Sequence, residues 1–65
     1  MYKEGDILKA LSIREKDEGY LVVGKLYKVI NKDHVIPLNS NTYPNGVKAI
    51  AGCKIDRGGR TWQKL

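Results

Sequence analysis

Val47-Lys48-Ala49-Ile50-Ala51-Gly52-Cys53-Lys54-Ile55 carries the cleanest period in the chain. Val47, Ala49, Ala51, Cys53 and Ile55 fall on one parity, Lys48 and Lys54 on the other, with Ile50 and Gly52 between them. Strand side chains alternate across a sheet, so this pattern predicts a half-buried strand with an apolar inner face. Gly52 predicts a bulge or a close backbone approach. Downstream, Asp56-Arg57-Gly58-Gly59 reads as a tight turn and Thr61–Leu65 as a short closing strand. Upstream, Asn39 to Gly46 reads as a loop ending in Pro44-Asn45-Gly46, where Pro presets φ and Asn and Gly tolerate positive φ.

The same punctuation continues toward the N-terminus. His34–Leu38 predicts a third strand, with Pro37 placing it at an edge or a bulge because proline has no N–H to donate. Asn31-Lys32-Asp33 is a polar turn, and Lys25–Ile30 a main strand with Tyr27 and Val29 sharing a face. Tyr20–Val23 is apolar and stops at Gly24, while Ile7–Ile13 is the first strand. Arg14-Glu15-Lys16-Asp17-Glu18 is wholly charged and is expected in an exposed loop, with a short helix as the alternative. Regular turns between short apolar runs give the fold class: an all-β, small, five-stranded SH3-like barrel, partly open, filling residues 1–65 as one domain. Its expected interior joins Tyr27, Val29 and Trp62 to the inner face of 47–55.

Sixty-five residues leave little interior, and a domain near this size buries only ~60% of the surface its unfolded chain exposes. One cysteine, Cys53, excludes an internal disulfide, and one histidine, His34, leaves no zinc-ligand set. No cofactor is expected. The lone thiol suits a reducing compartment, and the N-terminus has no apolar signal region, so the expectation is a soluble intracellular protein. The net charge is +5. It concentrates in the second half, where Lys48, Lys54, Arg57, Arg60 and Lys64 face Asp56 alone. That balance favours an anionic partner, with solubility as the plainer explanation.

Catalytic chemistry finds little support. His34 with Cys53 needs a third orienting group and an oxyanion site, and Cys53 reads more simply as a small buried hydrophobe. Gly24-Lys25 lacks the rest of a phosphate-binding loop. The chain is therefore expected to be non-enzymatic. Arg57-Gly58-Gly59-Arg60 resembles an RNA-binding RGG segment, but its place between two strands makes it a turn that presents two guanidinium groups outward. Lys48, Lys54, Arg57, Arg60 and Lys64 form one patch if the last two strands pair. Tyr43, in a polar loop, is the expected exposed aromatic beside them; Trp62 is the other aromatic that could stack on a base, although its bulk favours the core.

Gly5-Asp6 before the first strand, Gly24-Lys25-Leu26-Tyr27-Lys28-Val29 at the second and the closing Trp62 resemble the small SH3-like barrel proteins of bacteriophages and prophages. The segment 39–51 departs from that pattern, being more apolar and without the usual acidic residues. The resemblance implies a cytoplasmic location in a bacterial host and, for some such proteins, action on host proteins during takeover. Three functions follow from these readings. One is nucleic-acid binding through the basic C-terminal half. The second is docking on and inhibiting a bacterial host protein. The third is a homo-oligomer paired through the edge around Val35–Leu38.

Overall fold

A computed structural model describes residues 2–65. Five strands form one antiparallel sheet: β1 (Ile7–Ser12), β2 (Leu26–Asn31), β3 (His34–Pro37), β4 (Cys53–Lys54) and β5 (Thr61–Lys64). The order across the sheet is β4-β3-β2-β1-β5, and the sheet curls into a half-barrel. The fold is the small, partly open all-β barrel expected. No helix among the described residues is long and apolar enough to cross a membrane.

β1 and β2 follow their period closely. Leu8, Ala10, Tyr27 and Val29 point inward and are buried, while Lys9 and Lys28 point outward. Val35 joins them from β3 and Ile55 from just beyond β4. Trp62 is half-buried and meets Tyr27 edge to face, with ring centroids 5.8 Å apart and an interplanar angle of 82°. Such a pair adds about 0.5–1.5 kcal/mol to the area it buries. Pro37 sits where its missing N–H costs nothing to a second ladder, because β4 pairs only with His34 and Val35.

The stretch 47–55 departs from its expected form. Only Cys53 and Lys54 pair as a strand, and of the five residues expected inward only Ile55 is buried and Cys53 packs against the core. Val47 is 47% exposed, Ile50 is 82% exposed, Ala51 is exposed and Ala49 is half-buried. Residues 41–49 instead make a small irregular hairpin, with the Tyr43 amide donating to Val47 O at 2.8 Å and the Ala49 amide to Asn41 O at 2.9 Å. Gly52 ends it. Its φ is +75°, and a Cβ there would lie 3.0–3.1 Å from Ile30 Cδ1, His34 Cβ and Val35 O. The close approach expected of this glycine is real, and it delays pairing with β3 until Cys53. Two loop residues supply the missing bulk: Leu21 from the β1–β2 loop and Tyr43 from the hairpin are both buried.

The charged run 14–18 also behaves unexpectedly. Residues Glu15–Asp17 form a single 3-10 turn, and Asp17 is 2% exposed. Its carboxylate accepts from the Arg14 amide at 3.0 Å and from the Arg14 guanidinium at 2.8 Å. Arg60, 43 residues further on, donates to both carboxylate oxygens at 2.7 and 2.8 Å. A buried charge is tolerable when opposite charges and hydrogen bonds surround it, and here both conditions hold. The Arg60 guanidinium, and after it Arg14, holds the Asp17 carboxyl far below the usual carboxylate range against the opposing effect of burial.

Replacing Asp17 with Ala leaves Arg60 buried and unpaired, and should cost about 3 kcal/mol in chemical denaturation. That is a large part of the ~3–10 kcal/mol available to a domain this size. Because the folded pKa is depressed, the unfolded chain binds the proton first. Stability from this carboxylate is complete at neutral pH and falls as pH drops below about 4. The parent should lose stability over that range more steeply than Asp17→Ala. Equal slopes, or a loss under about 1 kcal/mol, would contradict the clamp. A second expectation concerns the glycine turn. A Cβ on Gly59, at φ +91°, would lie 2.6 Å from Arg14 Cγ, whereas one on Gly58 meets nothing within 4 Å. Gly59→Ala should therefore destabilise by on the order of 1–3 kcal/mol and Gly58→Ala by far less, read as paired melting curves.

Candidate nucleic-acid interface

β4 and β5 lie at opposite ends of the sheet order, so the C-terminal cations do not share one ladder. Lys54 is on β4 with its side chain outward, and Arg57 is exposed in the turn that follows. Lys48 is exposed in the irregular hairpin, bridged through its backbone to Thr42. Lys64, at the far end of β5, lies 3.5 Å from Asp6. The Asp6 carboxyl is held below its usual range chiefly by the Lys3 amide, with Lys64 adding to the effect.

Two expected site residues face the wrong way for a surface role. Arg60 does not present its guanidinium outward: its side chain is 8% exposed, bound to Asp17, and it donates to the Lys54 carbonyl as well. Tyr43 is not an exposed aromatic. It is 6% exposed and meets Tyr20 edge to face at 5.3 Å. Burial, reinforced by the neighbouring Cys53 thiol, pushes its phenol well above the usual tyrosine range. The polar sequence of its hairpin hides this placement, whereas the small sheet leaves room for the ring beneath the hairpin.

His34 and Cys53 are also separated. Cys53 pairs across from Val35 and packs on the core, while His34, one residue earlier, lies opposite Lys54 on the outer face. The His34 imidazole Nδ1 lies 3.1 Å from Asn31 Oδ1. Among the described residues, no three His, Cys, Asp or Glu side chains converge as a metal site would require.

The outer sheet face carries a pattern that the division into halves conceals. No residue of the five strands is acidic; every carboxylate lies in a turn or loop. Lys9 opposes Leu26, and Lys28, two residues along β2, opposes Ile7 and Ile36. His34, two residues before Ile36, opposes Lys54. Lys9, Lys28, His34 and Lys54 thus step diagonally across β1, β2, β3 and β4. Diagonal neighbours on a sheet are ~7–8 Å apart, within reach of long side chains. None of the three lysines has an ion-pair partner among the described residues. Ile7, Leu26 and Ile36 are half-buried between them and offer aliphatic floor for the lysine stems.

Beside the β4 end of this row lies the open seam of the half-barrel. A cleft of about 630 Å³ there is lined by Tyr2, Lys32, Asp33, Ile55, Asp56 and Trp62, with Arg60 and Thr61 completing its wall. Trp62 Nε1 donates to Ile55 O at 3.0 Å, so indole and guanidinium together bridge β5 to the chain leaving β4.

Comparison of the chain with protein-family models, curated proteins and solved structures finds no match. The resemblance to phage barrels therefore stands on Gly5-Asp6, Gly24–Val29 and Trp62 alone. Structurally, Gly5 and Gly24 have φ of +93° and +89°, so both are turn positions that speak to fold.

The two arginines of the glycine turn should separate cleanly on charge reversal. Arg57→Glu should leave the melting temperature within a degree or two, as expected of an exposed side chain outside any network. Arg60→Glu puts a second carboxylate against Asp17 and should leave little folded protein at 25 °C by circular dichroism. Similar stability of the two variants would contradict the inward placement of Arg60.

Proposed function

We propose that this chain is a non-enzymatic binding module that takes nucleic acid on the outer face of its sheet. The observation that carries this reading is the diagonal of three lysines, Lys9, Lys28 and Lys54, with His34 between the last two, on strands that contain no acidic residue. Affinity for a polyanion comes mainly from neutralising phosphates and releasing their counterions. That requires cations not already engaged with carboxylates, and these lysines meet the requirement. Lys48 and Arg57 are likewise exposed and without an ion pair among the described residues, and Arg57, in the turn after β4, extends the positive charge at that end. Arg60 and Tyr43 serve the interface indirectly, through the fold. The separation of His34 from Cys53 on opposite faces supports binding over catalysis.

The expected behaviour is micromolar or weaker binding that falls steeply with salt. In fluorescence anisotropy with labelled oligonucleotides, Lys9→Glu/Lys28→Glu/Lys54→Glu should abolish binding near physiological ionic strength. With the milder Lys→Gln set, the slope of log K against log salt should shrink by about 2, on the order of 0.7–0.9 for each phosphate no longer neutralised. All three positions are outside the core, so the variants should melt near the parent. If the parent binds neither DNA nor RNA at low salt, the proposal fails. Selective retention of one protein from a nuclease-treated bacterial lysate, in that same circumstance, would favour the host-protein alternative.

A further inference from the structure

The seam cleft differs in chemistry from the lysine row beside it. Arg60 in its wall is committed to Asp17 and the Lys54 carbonyl. The remaining charged groups are Lys32, Asp33 and Asp56, none of them in an ion pair among the described residues. Two carboxylates against one ammonium make the cleft a poor seat for phosphate. At about 630 Å³ it has the size of a small-molecule site. Its apolar surface comes from Ile55, Tyr2 and Trp62.

Trp62 is fixed on one side by Tyr27 and at its ring nitrogen by Ile55 O, and lines the cleft with what remains exposed. A rigid indole in a wet cleft is a stacking platform that needs no ordering when a flat ring arrives. The cleft opens at the end of the sheet where the lysine row finishes. Ile55 points into the core while Lys54 faces outward, so a strand lying along the row would pass round this end, by the β2–β3 turn that carries Lys32 and Asp33, to enter the cleft.

We propose that the cleft takes one base of a single-stranded nucleic acid, stacked on Trp62, while the adjoining phosphates lie on Lys54, His34 and Lys28. This rests on the outer-face reading above and adds the form of the partner and a preference among bases. Carboxylates accept hydrogen bonds and do not donate them, so Asp33 and Asp56 favour a base with an exocyclic amino group, such as cytosine, over thymine or uracil, whose single N–H is flanked by two acceptor carbonyls. A base held within a duplex stack cannot enter, which selects single strands.

Trp62 is the chain's single tryptophan, so its emission reports the cleft directly. The full chain is titrated at low salt with labelled oligodeoxycytidine, oligodeoxythymidine and a mixed-sequence duplex, following anisotropy and Trp62 emission together. Oligodeoxycytidine should quench Trp62 and bind at least about fivefold tighter than oligodeoxythymidine. The duplex should bind with Trp62 emission unchanged. Asp33→Asn/Asp56→Asn, which touches exposed positions, should remove the cytosine preference and keep the salt slope. Tyr2→Ala should weaken single-strand binding and leave duplex binding as it was. Binding of all three oligonucleotides with no change in Trp62 emission would overturn the cleft proposal and leave the outer-face reading standing. Absence of binding in every arm would overturn both. Equal affinity for cytosine and thymine strands, with quenching by both, would overturn the assigned role of the two carboxylates.

Discussion

A single buried carboxylate holds the two ends of this sheet together. An open five-stranded sheet of this size has two edges and little apolar area, and curling alone does not join β4 to β5. Asp17 draws Arg60 inward from the start of β5 and Arg14 from the end of β1. Once held there, Arg60 reaches the Lys54 carbonyl, and Trp62 reaches the Ile55 carbonyl beside it. Side chains thereby do across the seam what a backbone ladder does elsewhere. The arrangement is demanding, because each charge is tolerable only while the others are in place. It also accounts for Gly59: with Arg14 fixed by Asp17, no side chain fits at that position without moving it.

Much of this fold is legible from periodicity alone, and each exception has its own physical cause. Tyr27 and Val29 lie within a run long enough for alternation to carry information, and both are buried as their parity predicts. In 47–55 the alternation is equally regular, but its inward positions include two alanines, whose burial yields little. Gly52 then forces a close approach that overrides the pattern. Leu21 and Tyr43 add to the buried interior from loops: Leu21 is one residue of the apolar run Tyr20–Val23 and Tyr43 a single aromatic among polar neighbours, and neither stretch has a period to say which side chain turns inward. Asp17 is illegible for a different reason. A carboxylate within a charged pentad looks solvated until its partner is known, and that partner lies 43 residues away.

The candidate interface shows the same division. Lys54 and Arg57 stand out because the C-terminal half is basic, but dividing a barrel sequence at its middle does not divide its surface. Lys9 and Lys28 belong to the acid-rich first half, yet its acids sit in turns while its lysines sit on strands. Parity does contain the signal, since Tyr27 and Val29 facing inward oblige Lys28 to face outward. What parity cannot supply is register. The diagonal exists because Lys28 falls two places from Leu26, the partner of Lys9, and His34 two places from Ile36, the partner of Lys28.

Sorting charges in this way gives one small surface two environments. Confining carboxylates to turns leaves the strands of the outer sheet face with lysines and no acid, but it concentrates acids where turns meet, and the seam is such a place. Asp33 comes from the β2–β3 turn and Asp56 from the chain leaving β4. The field therefore changes character over a few residues, from a row that attracts phosphate to a cleft that disfavours it and presents aromatic and acceptor surface. A polymer with anionic backbone and neutral, amino-bearing rings has the complementary division. An acidic peptide has its charge on the side chains that would have to enter the cleft, and it would meet Asp33 and Asp56 there. Under the proposed function the geometry of the seam bears on partner choice as directly as the lysines do, and that geometry depends on Arg60 being withdrawn from the surface by Asp17.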